Sequence, residues 1–177
     1  DERVNIITKR LFPRYNTPER MLSLGEEKLA ELIRDCGLFR SKAKNLIATC
    51  KILCQEHQGQ VPNTFEELIK LPGVGRKTAN VLLSQLFNVP AIAVDTHVFR
   101  VANRLQLAVG DTPLKVEQGL MEVIPREKWG NAHHWLIWHG RKVCKARQPE
   151  CGCCPLRDLC PSAIRVDGCR GKGDKHR

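Results

Sequence analysis

Apolar residues recur every three or four positions along almost the whole chain, and no segment of useful length alternates with period two. That pattern predicts an all-α fold. Val4, Ile7 and Leu11 share a face that Pro13 closes. Thr17-Pro18 reads as an N-cap followed by a first-turn proline. Leu29, Leu32, Ile33 and Cys36 repeat at helical spacing, with Gly37 placed to end the helix. Ser41 is positioned to cap the next, whose face is Ala43, Leu46, Ile47, Cys50 and Cys54. Thr64 and Glu67 form a capping-box pattern, Thr112-Pro113 opens a helix that Pro125 closes, and Trp129 to Cys144 reads as helix. The best strand candidate, Val89 to Val94, is short and broken by Pro90, so it reads as a connector between helices.

The chain has 177 residues and a formal net charge of +10. Such a basic balance points to a polyanionic partner, nucleic acid being the commonest. No apolar run approaches the ~18–20 residues of a membrane span, and no charged-then-apolar leader opens the sequence. After Ile164 the composition changes to "RVDGCRGKGDKHR", which is expected to be a disordered basic tail.

"LPGVG" falls between two helical segments, from Leu71 to Gly75. Its glycines permit positive φ and close backbone approach, which gives a helix–hairpin–helix beside a helix N-terminus. Gly73, Val74, Gly75 and Arg76 are thereby candidate contacts to a phosphate, made without reading base sequence. Lys77 follows at the start of the second helix. The helix N-terminus and Arg76 both disfavour an ammonium there, and a neutral amine is a nucleophile. Asp95 caps the helix containing Val98, Val101 and Leu105, and a capping carboxylate facing a cleft could also accept a proton or stabilise a cationic sugar.

Nine cysteines are present, and four of them form the spacing C-x6-C-x2-C-x5-C: Cys144, Cys151, Cys154 and Cys160. Such a cluster suits an iron–sulfur centre or a zinc ion better than a disulfide framework. One tight CxxC pair favours a single [4Fe–4S] cluster, with zinc as the alternative. Cys153 offers a competing ligand and Cys169 fits neither pattern, while Cys36, Cys50 and Cys54 read as core residues. Lys145 and Arg147, on the loop between the first two ligands, are candidate phosphate contacts.

Taken together, "LPGVGRKTAN", "AIAVDTHVFRVANR", "HHWLIWHGRKVC" and the cysteine spacing resemble the endonuclease III family of DNA glycosylases, from Asp1 to about Ser162. The resemblance implies two helical domains with a DNA-binding cleft between them. One, residues 1–90, would be a helical barrel with the hairpin; the other, 91–163, would carry a [4Fe–4S] cluster on the four cysteines; 164–177 would be the tail. Lys77 matches the family nucleophile and Asp95 its catalytic carboxylate. The implied activity is bifunctional: an N-glycosylase and β-eliminating abasic-site lyase acting on oxidised or reduced pyrimidines in damaged duplex DNA. A cytoplasmic, nucleoid-associated prokaryotic monomer is implied as well. Related branches that act on adenine or thymine mismatches tend to lack the lysine. Family members carry a further N-terminal segment, with a cluster-domain helix, the first barrel helix and a glutamine-bearing loop. "DERVNIITKRLF" matches the family just past that loop, so the barrel is expected to be N-terminally incomplete and base removal weaker. The alternatives are a non-catalytic or weakly active DNA-binding fragment, or a redox protein using the cluster as an electron carrier.

Overall fold

A computed structural model describes residues 2–164, and the tail expected after Ile164 lies outside the described residues. The described residues form helices, 3₁₀ turns and connecting loops, with no strand among them. The helices are α1 (Glu2–Leu11), α2 (Pro18–Leu22), α3 (Gly25–Leu32), α4 (Phe39–Glu56), α5 (Phe65–Leu68), α6 (Arg76–Leu86), α7 (Thr96–Leu105), α8 (Pro113–Val123) and α9 (Trp129–Lys142). None of them is long and apolar enough to cross a membrane. The chain divides after Ala79, inside α6, into two compact units; the boundary expected at residue 90 lies farther on, in the connector that follows that helix.

In the first unit α2 and α3 pack on α4. The core gathers Ile7, Leu11, Met21, Leu24, Leu29, Ile33, Ala43 and Cys50. Burying one such Leu or Ile is worth about 1.5–3 kcal/mol relative to leaving it exposed. Thr17 caps α2 by accepting from Arg20 N–H at 3.3 Å. Thr64 caps α5, accepting from Glu67 N–H while its hydroxyl donates to the Glu67 carboxylate at 2.7 Å. Burial raises the Cys50 thiol above its ordinary pKa, which keeps it protonated, as befits a core cysteine.

Two local expectations, on Ser41 and on Gly37, are corrected. Ser41 does not cap α4: Leu38 takes the left-handed conformation (φ 57°), and its carbonyl accepts from Lys42 N–H, so the first turn closes upstream of the serine. Helix α3 stops at Leu32, well before Gly37, with Ile33 as its C-cap; Leu32 itself is exposed. The helix ahead of the hairpin ends at Leu68, and Leu71 belongs to the turn.

In the second unit α7 packs against α8 and α9 around Ile92, Val94, Val98, Val101, Ala102, Val116, Leu120 and Leu136. Thr112 caps α8 as expected. The connector from Ala91 to Val94 is fully buried without being a strand. Its backbone polar groups therefore need side-chain partners. Asn80 Nδ2 donates to the Ile92 carbonyl at 3.0 Å, and His133 Nδ1 lies 2.6 Å from the Ala93 carbonyl. Both side chains are themselves buried.

Candidate active site and cysteine centre

The hairpin is a tight turn held against α4. Proline and a glycine at φ +79° occupy its central positions, and Val74 N–H donates to the Leu71 carbonyl at 3.0 Å, the pattern of a type II turn. Thr49 Oγ1 donates to the Pro72 carbonyl at 3.1 Å, and a Cβ on Gly73 would fall 2.7 Å from Asn45 Nδ2. The first glycine is thus demanded twice, by φ and by the closeness of α4. Gly75 is different: a Cβ built there meets nothing within 4 Å. Open space at that glycine leaves its backbone approachable from outside. The Val74 amide is used inside the turn, so Val74 shapes the hairpin rather than offering a donor.

Helix α6 begins at Arg76, and the first-turn amides of any helix lack intrahelical acceptors. The Arg76 guanidinium stacks over the Phe65 ring, 4.9 Å from its centroid. Lys77 stands next to it in the same turn, with its side chain exposed. Lys77 belongs to the first unit and Asp95 to the second.

Asp95 caps α7 as the sequence predicts. Its Oδ1 accepts from His97 N–H and Val98 N–H, each at 2.8 Å, and the residue is half-buried. Both cap bonds fall on Oδ1, so the second carboxylate oxygen is not needed for the cap.

Cys144, Cys151, Cys154 and Cys160 converge on one cavity of about 170 Å³, lined also by Arg104, His139, Val143 and Ile164. All four are free and half-buried. Burial, with the three neighbouring thiols adding to it, raises the Cys154 thiol above its ordinary pKa. Among the described residues no three His, Cys, Asp or Glu side chains are disposed to hold a single metal ion. Four free thiols around one cavity are a donor set for an iron–sulfur centre or a zinc ion. Cys153, the competing ligand in "CGCC", is disulfide-bonded and is not among the free cysteines.

The loop after α9 is closed by Glu150 N–H donating to the Val143 carbonyl at 2.9 Å. On it, Lys145 Nζ is ion-paired with Glu150, while Arg147 is exposed. The two loop cations expected to act alike are therefore in different states.

Sequence reading passed over the residues that hold this centre in place. Arg100 Nε donates to the Cys144 carbonyl at 3.0 Å and its Nη2 to the Gly140 carbonyl at 2.9 Å. Arg104 donates to the carbonyls of Lys145 and Ala146 at 2.8 and 3.0 Å. His139 Nε2 lies 3.7 Å from Cys154 Sγ, and burial lowers the pKa of His139. The available signal was the i,i+4 arginine pair on a helix otherwise rich in buried valine and alanine, since such arginines must find acceptors.

Residues 1–126 match the family model described as HhH-GPD superfamily base excision DNA repair protein. Endonuclease III of Rickettsia conorii is 59% identical over 160 residues, which cover 90% of this chain and 76% of that protein. Endonuclease III of Escherichia coli K12 is 51% identical over 167 residues, 94% of this chain and 79% of that one. Among solved structures, a trapped endonuclease III–DNA covalent intermediate superposes with TM-score 0.88 at 49% identity, covering 92% of this chain and 77% of that one. A thermostable thymine-DNA glycosylase shares the fold, with TM-score 0.82 at 24% identity.

Proposed function

Since the chain belongs to the endonuclease III family, within the helix–hairpin–helix base-excision superfamily, we infer that its DNA glycosylase and abasic-site lyase chemistry runs through Lys77 and Asp95. That the protein is a base-excision DNA repair enzyme of this kind follows from the family. The substrate class we propose is duplex DNA bearing an oxidised or reduced pyrimidine, with the damaged nucleotide turned out of the stack. The observation that carries the residue assignment is an exposed lysine in the first turn of α6, directly after a glycine turn braced on α4.

On this reading the backbone at Gly73 and Gly75 and the start of α6 receive a DNA phosphate, and Arg76 and Arg147 add charge beside the strand. Lys145 contributes when its pairing with Glu150 loosens. The neutral Lys77 amine attacks C1′ of the damaged nucleotide. The N-glycosidic bond breaks and the base departs, taking up a proton. The C1′–O4′ bond of the resulting aminal then breaks, O4′ taking up a proton as the sugar ring opens, to give a Schiff base. Removal of a C2′ proton then expels the 3′ phosphate oxygen by β-elimination, and hydrolysis of the imine restores the lysine. Asp95 accepts the proton that Lys77 must lose, or faces the cationic sugar as it forms. Its Oδ1 holds the α7 cap meanwhile, which keeps the carboxylate from swinging.

Cys144, Cys151, Cys154 and Cys160 would hold a [4Fe–4S] cluster; their four thiols around one cavity fit that group. When bound, it supplies a rigid anchor for the Cys144–Cys151 loop and a one-electron redox centre. The catalytic residues act without it as a reactant.

Borohydride trapping tests the assignment. The protein should form a covalent adduct with abasic-site DNA, Lys77→Ala should form none, and a panel of lesion-bearing duplexes should rank oxidised pyrimidines first. A wild-type protein that binds DNA yet yields no adduct would be the DNA-binding fragment of the alternative reading.

A further inference from the structure

We propose that Arg104 is a positioning residue that both sets the reduction potential of the cluster and shapes the DNA-facing loop after Cys144. The proposal rests on the reading of the four cysteines as cluster ligands. Arg104 sits in the last turn of α7, half-buried at the cavity wall. Its Nη1 donates to Cys144 Sγ at 3.4 Å and to the Lys145 carbonyl at 2.8 Å, and its Nη2 to the Ala146 carbonyl at 3.0 Å. Its own carbonyl lies 3.5 Å from Cys160 Sγ. A single residue thus touches the first and last of the four cysteines and the first two loop residues after Cys144.

The guanidinium suits both tasks. Its planar fork presents several donors at fixed angles, so it can hold two successive carbonyls and a sulfur at once. It is always charged, and it stands against a ligand sulfur in a partly buried place. A cluster bound by four thiolates is anionic, and reduction adds a further negative charge. A cation beside Cys144 therefore stabilises the reduced state more than the oxidised one and raises the potential. Arg100 makes the contrast: it grips the Cys144 and Gly140 carbonyls but makes no hydrogen bond to a cysteine sulfur among the described residues. It should anchor the loop with a smaller effect on the potential.

The experiment compares the wild-type holoprotein with Arg104→Gln, Arg104→Lys and Arg100→Gln. Visible absorbance reports cluster content, a mediated redox titration reports potential, and binding to abasic-analogue duplex reports the loop. Arg104→Gln should shift the reduction equilibrium about tenfold toward the oxidised form, which is about 59 mV for a one-electron couple. Arg104→Lys keeps the charge but not the fork, so it should hold a potential near wild type while DNA affinity falls severalfold. Arg100→Gln should move the potential less than Arg104→Gln does. A loaded Arg104→Gln with wild-type potential overturns the proposal. If Arg104→Gln does not retain the cluster, the half-life of cluster loss decides: retention in Arg104→Lys supports the role of the charge, and equal loss in both overturns it. A wild-type protein purified with no iron–sulfur absorbance would instead refute the cofactor reading, an outcome distinct from all of these.

Discussion

Asp95 caps α7, and the catalytic duty proposed for it can be separated from the cap. Asparagine caps helices about as well as aspartate, whereas alanine at an N-cap costs about 1 kcal/mol. Asp95→Asn should therefore melt close to wild type but excise bases slower by about 10²–10⁴-fold, the usual worth of a positioned acid–base group. Asp95→Ala should lose both activity and stability. Thermal melts paired with single-turnover excision measure the two effects, and an Asp95→Asn variant with full activity would leave the residue as a cap alone. The cap was legible because a carboxylate ahead of a run of apolar residues at helical spacing has one obvious use. That a single oxygen carries the whole cap was not legible, since it depends on which oxygen the His97 and Val98 amides reach.

At the scale of the element, the hairpin shows two glycines needed for different reasons. Gly73 has φ +79° and its missing Cβ makes room for Asn45. Gly73→Ala should destabilise the first unit by about 1–3 kcal/mol, a strained φ and a clash combined. Gly75 has neither constraint, so Gly75→Ala should fold normally and weaken DNA binding, because the methyl stands on the path proposed for the phosphate. Chemical denaturation and a DNA titration on the same two variants check this; equal unfolding midpoints would remove the distinction. The sequence announced the turn, through proline and glycine at adjacent positions, but could not tell which glycine serves the fold. That knowledge resides in α4, some thirty residues upstream. The buried connector repeats the lesson. Its apolar residues looked like a failed strand, and what satisfies its carbonyls is Asn80 from α6 and His133 from α9. Period and propensity carry no information about such distant partners. Asn80→Ala should cost about 1–3 kcal/mol, the penalty of an orphaned buried carbonyl, read by thermal or denaturant unfolding.

At the scale of the whole molecule, the net charge of +10 predicts a steep salt dependence of DNA binding. The charges do not contribute equally, however, and the cysteine loop offers a test. Lys145 is already neutralised by Glu150, whereas Arg147 is exposed. A cation whose charge is satisfied within the protein releases fewer counterions on meeting a phosphate. Arg147→Ala should therefore lower the slope of log affinity against log salt by about one, the worth of a single phosphate contact. Lys145→Ala should change it less. Glu150→Gln should act in the opposite direction, releasing Lys145 and removing a carboxylate from the loop proposed to meet DNA, so that affinity rises severalfold at low salt and the gain shrinks as salt is added. Fluorescence anisotropy with an abasic-analogue duplex across a salt series measures all three. If Lys145→Ala and Arg147→Ala give the same slope, the ion pair opens at no cost when DNA arrives, and the two cations are equivalent after all. If Glu150→Gln weakens binding, the pair is instead a brace that holds the loop in its receptive shape, and its value is geometric rather than electrostatic.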